Sequence, residues 1–397
     1  MNIDASFKLF DIRGEYPIQV DEKMAFAVGK ALFLLRRPQK VLIAMDNRAS
    51  SPSLKSYLID ALTSNGIIVD DLGKAPSPEF YFSVVTQGYD LGVMITASHI
   101  GESENGFKFV NRNGLPFDQG EILDLKYTVS KFKDIPIVIP HGEACEVSFR
   151  DLYLKKIESL IPKIDFKLKV VLDLTGSTVE NTALPIFDLL KINYSVIKNA
   201  KPGSPLILEN QKALSEAVIN SKADLGIKWD SDGDRVVFMD CRGKMIPLSY
   251  LLGILGSKNG KKVAIDVRSG LVVRDIVEES GGEIVVLPAW SQFIKFAMQS
   301  DPEITFGGET SGHFIFKDFY CLDDGLVAAL RFLVECESGY VLEKIDKLSK
   351  KYYELPEKNF PCNLTQAPVI LKSLSDFYRG KLYTVSVEDG LTVFGPD

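Results

Sequence analysis

The sequence predicts an α/β fold with largely parallel or mixed sheets, in which one α/β unit is used about three times. Two observations carry this prediction. Short apolar, β-branched runs alternate with longer amphipathic segments, which is the order that parallel and mixed sheets produce. Three of the short runs also end in an Asp followed by a turn of small or polar residues.

The alternation places the elements in order along the chain. Buried strands are predicted at 41–44, 170–172, 263–265 and 284–287, and helices at 54–64, 213–220 and 271–279. Asp46, Asp173 and Asp266 close three of the strands, and similar DLG sequences at 90–92 and 224–226 each precede a polar loop. Each copy of the unit would thus send a loop from the carboxyl end of a strand, where open α/β sheets bind ligands.

Composition limits the classes of function. The 397 residues are 46% hydrophobic and 25% charged, which excludes disordered, collagen-like and coiled-coil proteins. A net charge of -7 argues against a nucleic-acid partner. The sequence has no membrane-length apolar run, no signal-peptide pattern at its start, and five Cys without a CxxC pair. We therefore expect a cytoplasmic protein with no membrane partner.

The strongest chemical motif is the sequence DSDGDR at 230–235. Asp230, Asp232 and Asp234 alternate directly after an apolar run, so their carboxylates can converge on one hard cation such as Mg²⁺. An EF-hand is excluded, because its required Gly and bidentate acid would fall on Arg235 and Cys241. A solvated acidic turn is the alternative.

A second motif is Ser98-His99 in the loop that follows a predicted strand. Ser98 could act as a nucleophile, but the GxSxG pattern of a hydrolase is missing. We expect the His99 side chain to point away from Ser98, as neighbours in an extended loop do. Lys108 lies downstream of this motif and is a proton donor, a phosphate partner or, alternatively, a solvated loop lysine.

Two further segments carry polar groups. In the sequence GGETSGH at 307–313, glycines permit close backbone approach, and Glu309 and Ser311 suit sugar hydroxyls. His313 is the last residue of this segment, and either a catalytic or a structural role is open to it. Near the start, Arg13 is either a surface ion-pair partner or an anion contact.

Taken in order, these segments resemble the phosphohexomutase superfamily, specifically its phosphomannomutase/phosphoglucomutase branch. Residues 7–14 resemble its opening motif, 96–108 its phosphoserine loop, 230–235 its metal loop and 308–313 its sugar-recognition loop.

The resemblance implies three related α/β domains with mixed sheets around a central cleft, plus a truncated fourth domain. We expect a phosphoserine-loop domain at 1–140, a metal-binding domain at 141–242 and a sugar-recognition domain at 243–352. Predicted linkers lie at 136–143, 240–247 and 352–361. An incomplete C-terminal phosphate-binding domain is expected at 353–397, because the family's Arg-x-Ser-x-Thr-Glu-Pro loop has no counterpart in this sequence.

The resemblance also implies the chemistry. Ser98 would carry a phosphoryl group, and Mg²⁺ would bind Ser98, Asp230, Asp232 and Asp234. The substrate would be a hexose phosphate of mannose or glucose, with hexose 1,6-bisphosphate as intermediate and activator. The expected catalytic residues are Arg13, Ser98, Lys108, Arg235 and His313. The expected substrate-binding residues are His99, Arg268, Lys295, Gly308, Glu309 and Ser311. The protein would be a monomer or a homodimer.

Three departures from the family pattern leave alternatives open. Ile100-Gly101 replaces the usual Asn-Pro and predicts a more flexible loop around Ser98. Phe10 replaces a Tyr, and Ser291 stands where a His is usual. Together with the missing C-terminal phosphate loop, Ile100-Gly101 and Ser291 make a catalytically weakened sugar-phosphate binding or regulatory protein the main alternative, and a phosphatase-like enzyme is a third.

Overall fold

The computed structural model describes residues 3–132, 141–198, 200, 202–353, 362–363, 365–381, 383–387 and 390–394. The predicted linkers at 136–143 and 352–361 therefore lie mostly outside the described residues. The predicted linker at 240–247 begins at the last residue of a strand and ends just before a helix. The four domain ranges stay a prediction.

The first part of the chain folds around a six-stranded sheet with the order β1-β5-β4-β2-β3-β6. Its strands are β1 (Asp11–Glu15), β2 (Lys40–Met45), β3 (Ile68–Lys74), β4 (Leu91–Ile95), β5 (Glu104–Asn111) and β6 (Cys145–Glu146). Its helices are α1 (Ile3–Ser6), α2 (Glu22–Arg36), α3 (Ser51–Thr63), α4 (Ser77–Thr86) and α5 (Gln119–Ser130).

Two smaller sheets follow, with the orders β10-β9-β7-β8 and β12-β11-β13-β14-β15. The middle part contains α6 (Arg150–Leu160), β7 (Lys169–Asp173), α7 (Glu180–Leu189), β8 (Asn193–Ile197), α8 (Leu208–Ser221), β9 (Leu225–Trp229) and β10 (Val236–Asp240). The third part contains α9 (Leu248–Asn259), β11 (Lys262–Asp266), α10 (Leu271–Glu279), β12 (Glu283–Leu287), α11 (Ser291–Ser300), β13 (Ile304–Gly308), β14 (Phe314–Phe316), a 3₁₀ turn (Lys317–Phe319), β15 (Leu322–Asp323), α12 (Gly325–Glu337) and α13 (Tyr340–Lys351).

The last described segment contains one helix and a hairpin. The helix is α14 (Ala367–Arg379), and the antiparallel pair consists of β16 (Thr384–Ser386) and β17 (Thr392–Phe394). These elements fall within the range predicted for the C-terminal domain.

The three large sheets repeat one strand arrangement, which confirms the predicted mixed α/β fold. In each, a central strand (β2, β7 or β11) pairs in parallel with two neighbours, one of which continues into an antiparallel strand. The antiparallel pairs are β4–β5, β9–β10 and β13–β14. Asp46 directly follows β2, and Asp173 and Asp266 end β7 and β11. The predicted strands and helices are all present, several with longer bounds.

An apolar core joins the three parts. Phe82 on α4 lies against Tyr153 on α6, with ring centroids 5.6 Å apart, and stacks on Phe319 at 6.1 Å. All three side chains are buried. Because close-packed interiors resist displacement, this contact fixes the loops of the three sheets relative to one another. Among the described residues, no helix combines the length and apolar character needed to cross a bilayer.

One buried acid lies at the same junction. The Glu79 side chain on α4 is 1% exposed, and Arg150 Nε on α6 lies 3.5 Å from its Oε1. Burial raises the pKa of Glu79 to about 7, and Arg150 offsets only part of this effect. The native protein therefore holds this proton to a higher pH than the unfolded chain, so the free energy of unfolding falls as pH rises from about 4.5 to 7.

Glu79→Gln is expected to stabilise the protein at pH 8 by on the order of 3 kcal/mol, since it removes a buried charge. At pH 5 the two proteins should differ little, because Glu79 is then neutral in the folded state. Urea unfolding of both proteins at the two pH values measures the difference. An equal stability difference at pH 5 and pH 8 would contradict this assignment of the titrating group.

Candidate active site

Three loops at equivalent positions of the repeated sheets meet in one cleft. They are the β4–β5, β9–β10 and β13–β14 loops, each of which leaves a parallel strand and returns as an antiparallel one. The cleft has a volume of about 900 Å³, within the range of small-molecule sites. The predicted residues that line it are Arg13, Ser98, His99, Lys108, Asp234, Arg235, Arg268, Lys295, Glu309, Ser311 and His313.

The acid triplet forms a buried cluster on the β9–β10 loop. One carboxylate oxygen from each of Asp230, Asp232 and Asp234 lies within 4.8 Å of the others. Burial and the charges of the other two acids raise the pKa of Asp230 well above its ordinary value. Such mutual repulsion is relieved by a cation among the three side chains.

Lys108 on β5 supplies one positive charge to this cluster. Its Nζ donates to Asp232 Oδ2 and to Asp234 Oδ2, both at 2.6 Å. Although burial opposes it, the attraction of the two carboxylates raises the pKa of Lys108 well above its ordinary value. Lys108 therefore stays protonated as a fixed positive charge, which suits a phosphate partner better than a proton donor or a base.

The remaining oxygens of the triplet fit a hard cation. Asp232 Oδ1 and Asp234 Oδ1 are buried and have no hydrogen-bond partner among the described residues. Carboxylate oxygens are the ligands that Mg²⁺ prefers, and unpaired buried oxygens are costly unless something binds them. The donor set thus agrees with the predicted magnesium site.

Neighbouring loops hold the triplet in place. Ser77 at the start of α4 donates through Oγ to Asp232 Oδ2 and through its backbone N–H to Asp232 O, both at 2.7 Å. From the middle sheet, Ser177 Oγ donates to Asp230 O at 2.6 Å. Gly233 has a φ of 75°, and a Cβ there would lie 2.1 Å from Val179 Cγ2. The metal loop is therefore held from two of the three parts of the chain.

Ser98 connects the β4–β5 loop to the triplet by a side-chain hydrogen bond. Its Oγ donates to Asp230 Oδ2 at 3.2 Å, and its side chain is buried. The backbone at Ser98 is left-handed, with a φ of 55°, a conformation that non-glycine residues seldom adopt outside functional sites and turns. Thr96 Oγ1 accepts the Ser98 N–H at 2.7 Å and stabilises this turn.

The expectation that His99 points away from Ser98 is wrong. His99 Nδ1 lies 3.4 Å from Ser98 Oγ, because the left-handed turn at Ser98 brings the two neighbouring side chains to the same side. Burial, with the nearby charges of Arg235 and Arg13, lowers the pKa of His99 to about 2. His99 is therefore a neutral imidazole beside the serine.

Arg48, which no sequence motif marks, holds the loop that contains Ser98. Its guanidinium donates to the carbonyl oxygens of Ser98 at 2.6 Å, Ile100 at 2.9 Å and Gly101 at 2.8 Å. Asp46 in turn accepts from Arg48 Nε at 2.9 Å. Although Ile100-Gly101 predicted a flexible loop, three hydrogen bonds to one buried cation fix its main chain.

A chain of polar contacts runs from the metal loop to the third sheet. Arg235 Nε donates to His313 Nε2 at 3.0 Å, and His313 Nδ1 lies 3.0 Å from Asp323 Oδ2. Lys295 Nζ donates to Asp323 Oδ1 at 2.6 Å. Asp323, missed in the sequence, thus orients Lys295 and places a carboxylate beside His313. Its only signal was a pair of acids directly before an apolar helical segment.

Glu309 is the first residue of the β13–β14 loop, and its carboxylate accepts three hydrogen bonds. Its Oε1 accepts from the Trp290 N–H at 2.7 Å and from Arg268 Nη2 at 3.0 Å. Ser311 Oγ donates to Glu309 Oε2 at 3.1 Å. These contacts orient one carboxylate at the cleft wall, where it can accept hydrogen bonds from hydroxyl groups.

The structure corrects the expectation for Gly308. A Cβ on Gly308 would lie 2.4 Å from Leu252 Cδ2 and 2.7 Å from His313 O. Gly308 ends β13 and does not line the cleft. Its missing side chain therefore makes room for the protein's own packing rather than for a ligand.

Arg13 on β1 faces the same cleft from the first sheet. Its Nε and Nη2 donate to Asp11 Oδ2 at 2.9 and 2.7 Å. Although burial opposes it, Asp11 raises the pKa of Arg13, with smaller contributions from Asp232 and Asp234. The guanidinium is thereby fixed at the wall as a permanent positive charge.

Comparison with known proteins identifies the family. Residues 4–132 and 245–357 match the family models described as phosphoglucomutase/phosphomannomutase alpha/beta/alpha domains I and III. A protein of Xanthomonas campestris named phosphohexose mutases is 31% identical over 379 residues, which cover 90% of this chain and 81% of that protein. The chain belongs to the phosphoglucomutase/phosphomannomutase family.

Two solved structures agree with this membership. A phosphoglucomutase/phosphomannomutase family protein from Burkholderia thailandensis superposes with a TM-score of 0.82, at 23% identity, over all of this chain and 90% of that one. An N-acetylphosphoglucosamine mutase from Aspergillus fumigatus, solved with GlcNAc-6P and magnesium, has a TM-score of 0.56 at 11% identity. It matches over 98% of this chain and 91% of that chain. At these identities, the two structures support the fold of the phosphohexomutase family.

Proposed function

We propose that this protein is a Mg²⁺-dependent phosphohexomutase that moves a phosphoryl group between the 1- and 6-positions of a hexose phosphate. Mannose and glucose phosphates are the proposed substrates. The observation that carries the proposal is the 3.2 Å contact between Ser98 Oγ and Asp230 Oδ2. It puts a nucleophilic hydroxyl beside three buried carboxylates in a cleft of suitable size.

The proposed metal site consists of Asp230, Asp232, Asp234 and a phosphate oxygen on Ser98. When bound there, Mg²⁺ would neutralise charge on the phosphoryl oxygens. Phosphoryl transfer depends mainly on positioning and charge neutralisation. Arg13, Lys108 and Arg235 surround the same space with positive charge, so an otherwise acidic protein can hold an anionic substrate there.

The proposed reaction runs in two transfers through a bound hexose 1,6-bisphosphate. In the first, the bond between phosphorus and Ser98 Oγ breaks, a bond between phosphorus and a sugar hydroxyl oxygen forms, and the proton of that hydroxyl ends on Ser98 Oγ. The bisphosphate then turns and returns its other phosphoryl group to Ser98. Lys108 is proposed to stabilise, as a fixed positive charge, the negative charge that develops on Ser98 Oγ. His99 is proposed as a contact to the reacting hydroxyl, and His313 is proposed to position Arg235, to which its Nε2 is bonded.

The sugar is proposed to lie against the third sheet. Glu309 would accept hydrogen bonds from the 3- and 4-hydroxyls of the sugar, and Ser311 would donate to them, in either orientation of the bound sugar. Arg268 and Lys295 would contribute positive charge nearby. A binding protein without turnover is not favoured, because Ser98 and the surrounding cations line one cleft and the acid triplet, of which Asp234 reaches that cleft, lies directly beside them. We place the enzyme in the cytoplasm, as a monomer or homodimer.

The test is the conversion of mannose 1-phosphate to mannose 6-phosphate with MgCl₂ and a trace of hexose 1,6-bisphosphate. We expect turnover that requires both additions and releases free phosphate much more slowly than it forms product. Glucose 1-phosphate is assayed in parallel. Phosphate release that keeps pace with isomerisation would instead indicate a phosphatase, and no turnover of either sugar phosphate would refute the proposal.

A further inference from the structure

Trp290 has the most unusual backbone among the described non-glycine residues. Its φ is 101° and its ψ is 119°. The other non-glycine residues with positive φ have values between 45° and 59°, close to the left-handed helical region that L-residues tolerate. A bulky side chain at a φ of 101° is strained, and such strain persists where the surroundings enforce it, often at functional sites.

The surroundings of Trp290 show what this conformation achieves. Trp290 directly precedes α11, and its backbone N–H donates to Glu309 Oε1 at 2.7 Å. Trp290 lines the cleft and is 43% exposed, whereas Phe10 beside it is buried. The edge of the indole meets Phe10, with ring centroids 5.9 Å apart at 60°. One residue thus orients the carboxylate of Glu309 through its backbone and presents an aromatic surface beside that carboxylate.

This pairing suits a pyranose ring. A hexose has hydroxyl groups around its edge and faces of C–H groups, so its recognition calls for polar partners and an apolar surface side by side. Glu309 and Ser311 supply the polar partners, and an exposed indole is the largest rigid apolar surface that a side chain offers. We propose that Trp290 is a specificity-determining residue whose indole packs against the C–H face of the hexose while Glu309 binds its hydroxyls.

This inference rests on the proposed function and makes it more specific. It assigns to Trp290 a preference for ligands that contain a sugar ring over phosphates that lack one. A purely structural Trp290 would instead serve to cover Phe10, and its loss would lower stability without changing which ligand binds.

The main test variant is Trp290→Gly. Glycine adopts a φ of 101° without strain and keeps the N–H that binds Glu309, so only the indole is lost. We expect KM for mannose 1-phosphate to rise about tenfold, in line with the contribution of an aromatic contact. The melting temperature should not fall. Inhibition by glycerol 3-phosphate, which has no ring, should keep the same Ki, and Trp290→Phe should restore most of the KM.

Lys191→Gly is the matched control. Lys191 is exposed, has a φ of 56° and lies between α7 and β8, outside the cleft. This substitution introduces glycine at a positive φ away from the cleft, so it should leave KM unchanged.

Fluorescence gives a second readout on the unmodified protein. The chain has two Trp, and Trp229 is 1% exposed, so quenching by acrylamide reports on Trp290. Mannose 1-phosphate should protect the wild-type indole, and glycerol 3-phosphate should not. An unchanged KM in Trp290→Gly, an equal rise in the Ki of glycerol 3-phosphate, or no protection by the sugar phosphate would each overturn the role of Trp290. Absence of turnover by the wild-type protein would instead refute the proposed function.

Discussion

Replacing Ser98 by Ala is expected to lower mutase turnover at least about a thousandfold, which is the scale of losing a nucleophile. The hydroxyl is the only part removed, and it is the atom that lies 3.2 Å from Asp230. The fold should persist, because Arg48 and Thr96 hold this loop through its main chain. Initial rates with mannose 1-phosphate, together with a melting curve, measure both effects.

Ser103→Ala is the control for this substitution. Ser103 belongs to the same loop but is exposed, so its loss should leave turnover at the wild-type level. Full activity in Ser98→Ala, or a loss of equal size in Ser103→Ala, would contradict the role proposed for Ser98.

Lys108→Met is expected to lower turnover at least about a hundredfold and also to change how the protein responds to magnesium. Without the ammonium, the carboxylates of Asp232 and Asp234 lose the positive charge that they share, although Ser77 still donates to Asp232. Breaking a buried ion pair of this kind costs on the order of 3 kcal/mol. Added Mg²⁺ should recover more stability in this variant than in the wild type, because binding to the folded state alone stabilises it. Melting curves in EDTA and in MgCl₂ measure this difference.

Lys55→Met provides a matched comparison. Lys55 pairs with Asp71, and both side chains are largely buried. This pair lies outside the residues that line the cleft. The variant should lose stability equally in EDTA and in MgCl₂ and should keep its turnover. A magnesium response of Lys108→Met no larger than that of Lys55→Met would show that Lys108 and the cation do not share the acid triplet.

The repeated fold was predictable because its signals are local. Strands β2, β7 and β11 are short apolar runs that end at or just before an Asp, and the acid triplet directly follows such a run. These features depend on neighbours in sequence, so periodicity and spacing reveal them. The similar DLG sequences at 90–92 and 224–226 then related the Ser98 loop to the triplet loop, and the family resemblance added the segment that contains Glu309.

The residues that support the site were not predictable in the same way. Ser77 reaches Asp232 across 155 positions, and Arg48 reaches the Ser98 carbonyl across 50. Such contacts depend on how the sheets pack, which no local pattern records. The approach of His99 to Ser98 and the conformation of Trp290 depend on single backbone angles. A sequence window specifies such angles poorly when tertiary contacts enforce them.

The most direct test of the central claim is the transfer of labelled phosphate to Ser98. The protein is incubated with ³²P-labelled glucose 1,6-bisphosphate, with MgCl₂ or with EDTA, and the labelled peptide is identified by mass spectrometry. We predict one phosphoryl group on the peptide that contains Ser98, formed with MgCl₂ and not with EDTA, and chased off by unlabelled mannose 1-phosphate. Label on another residue, or isomerisation that proceeds while Ser98 stays unlabelled, would contradict the account.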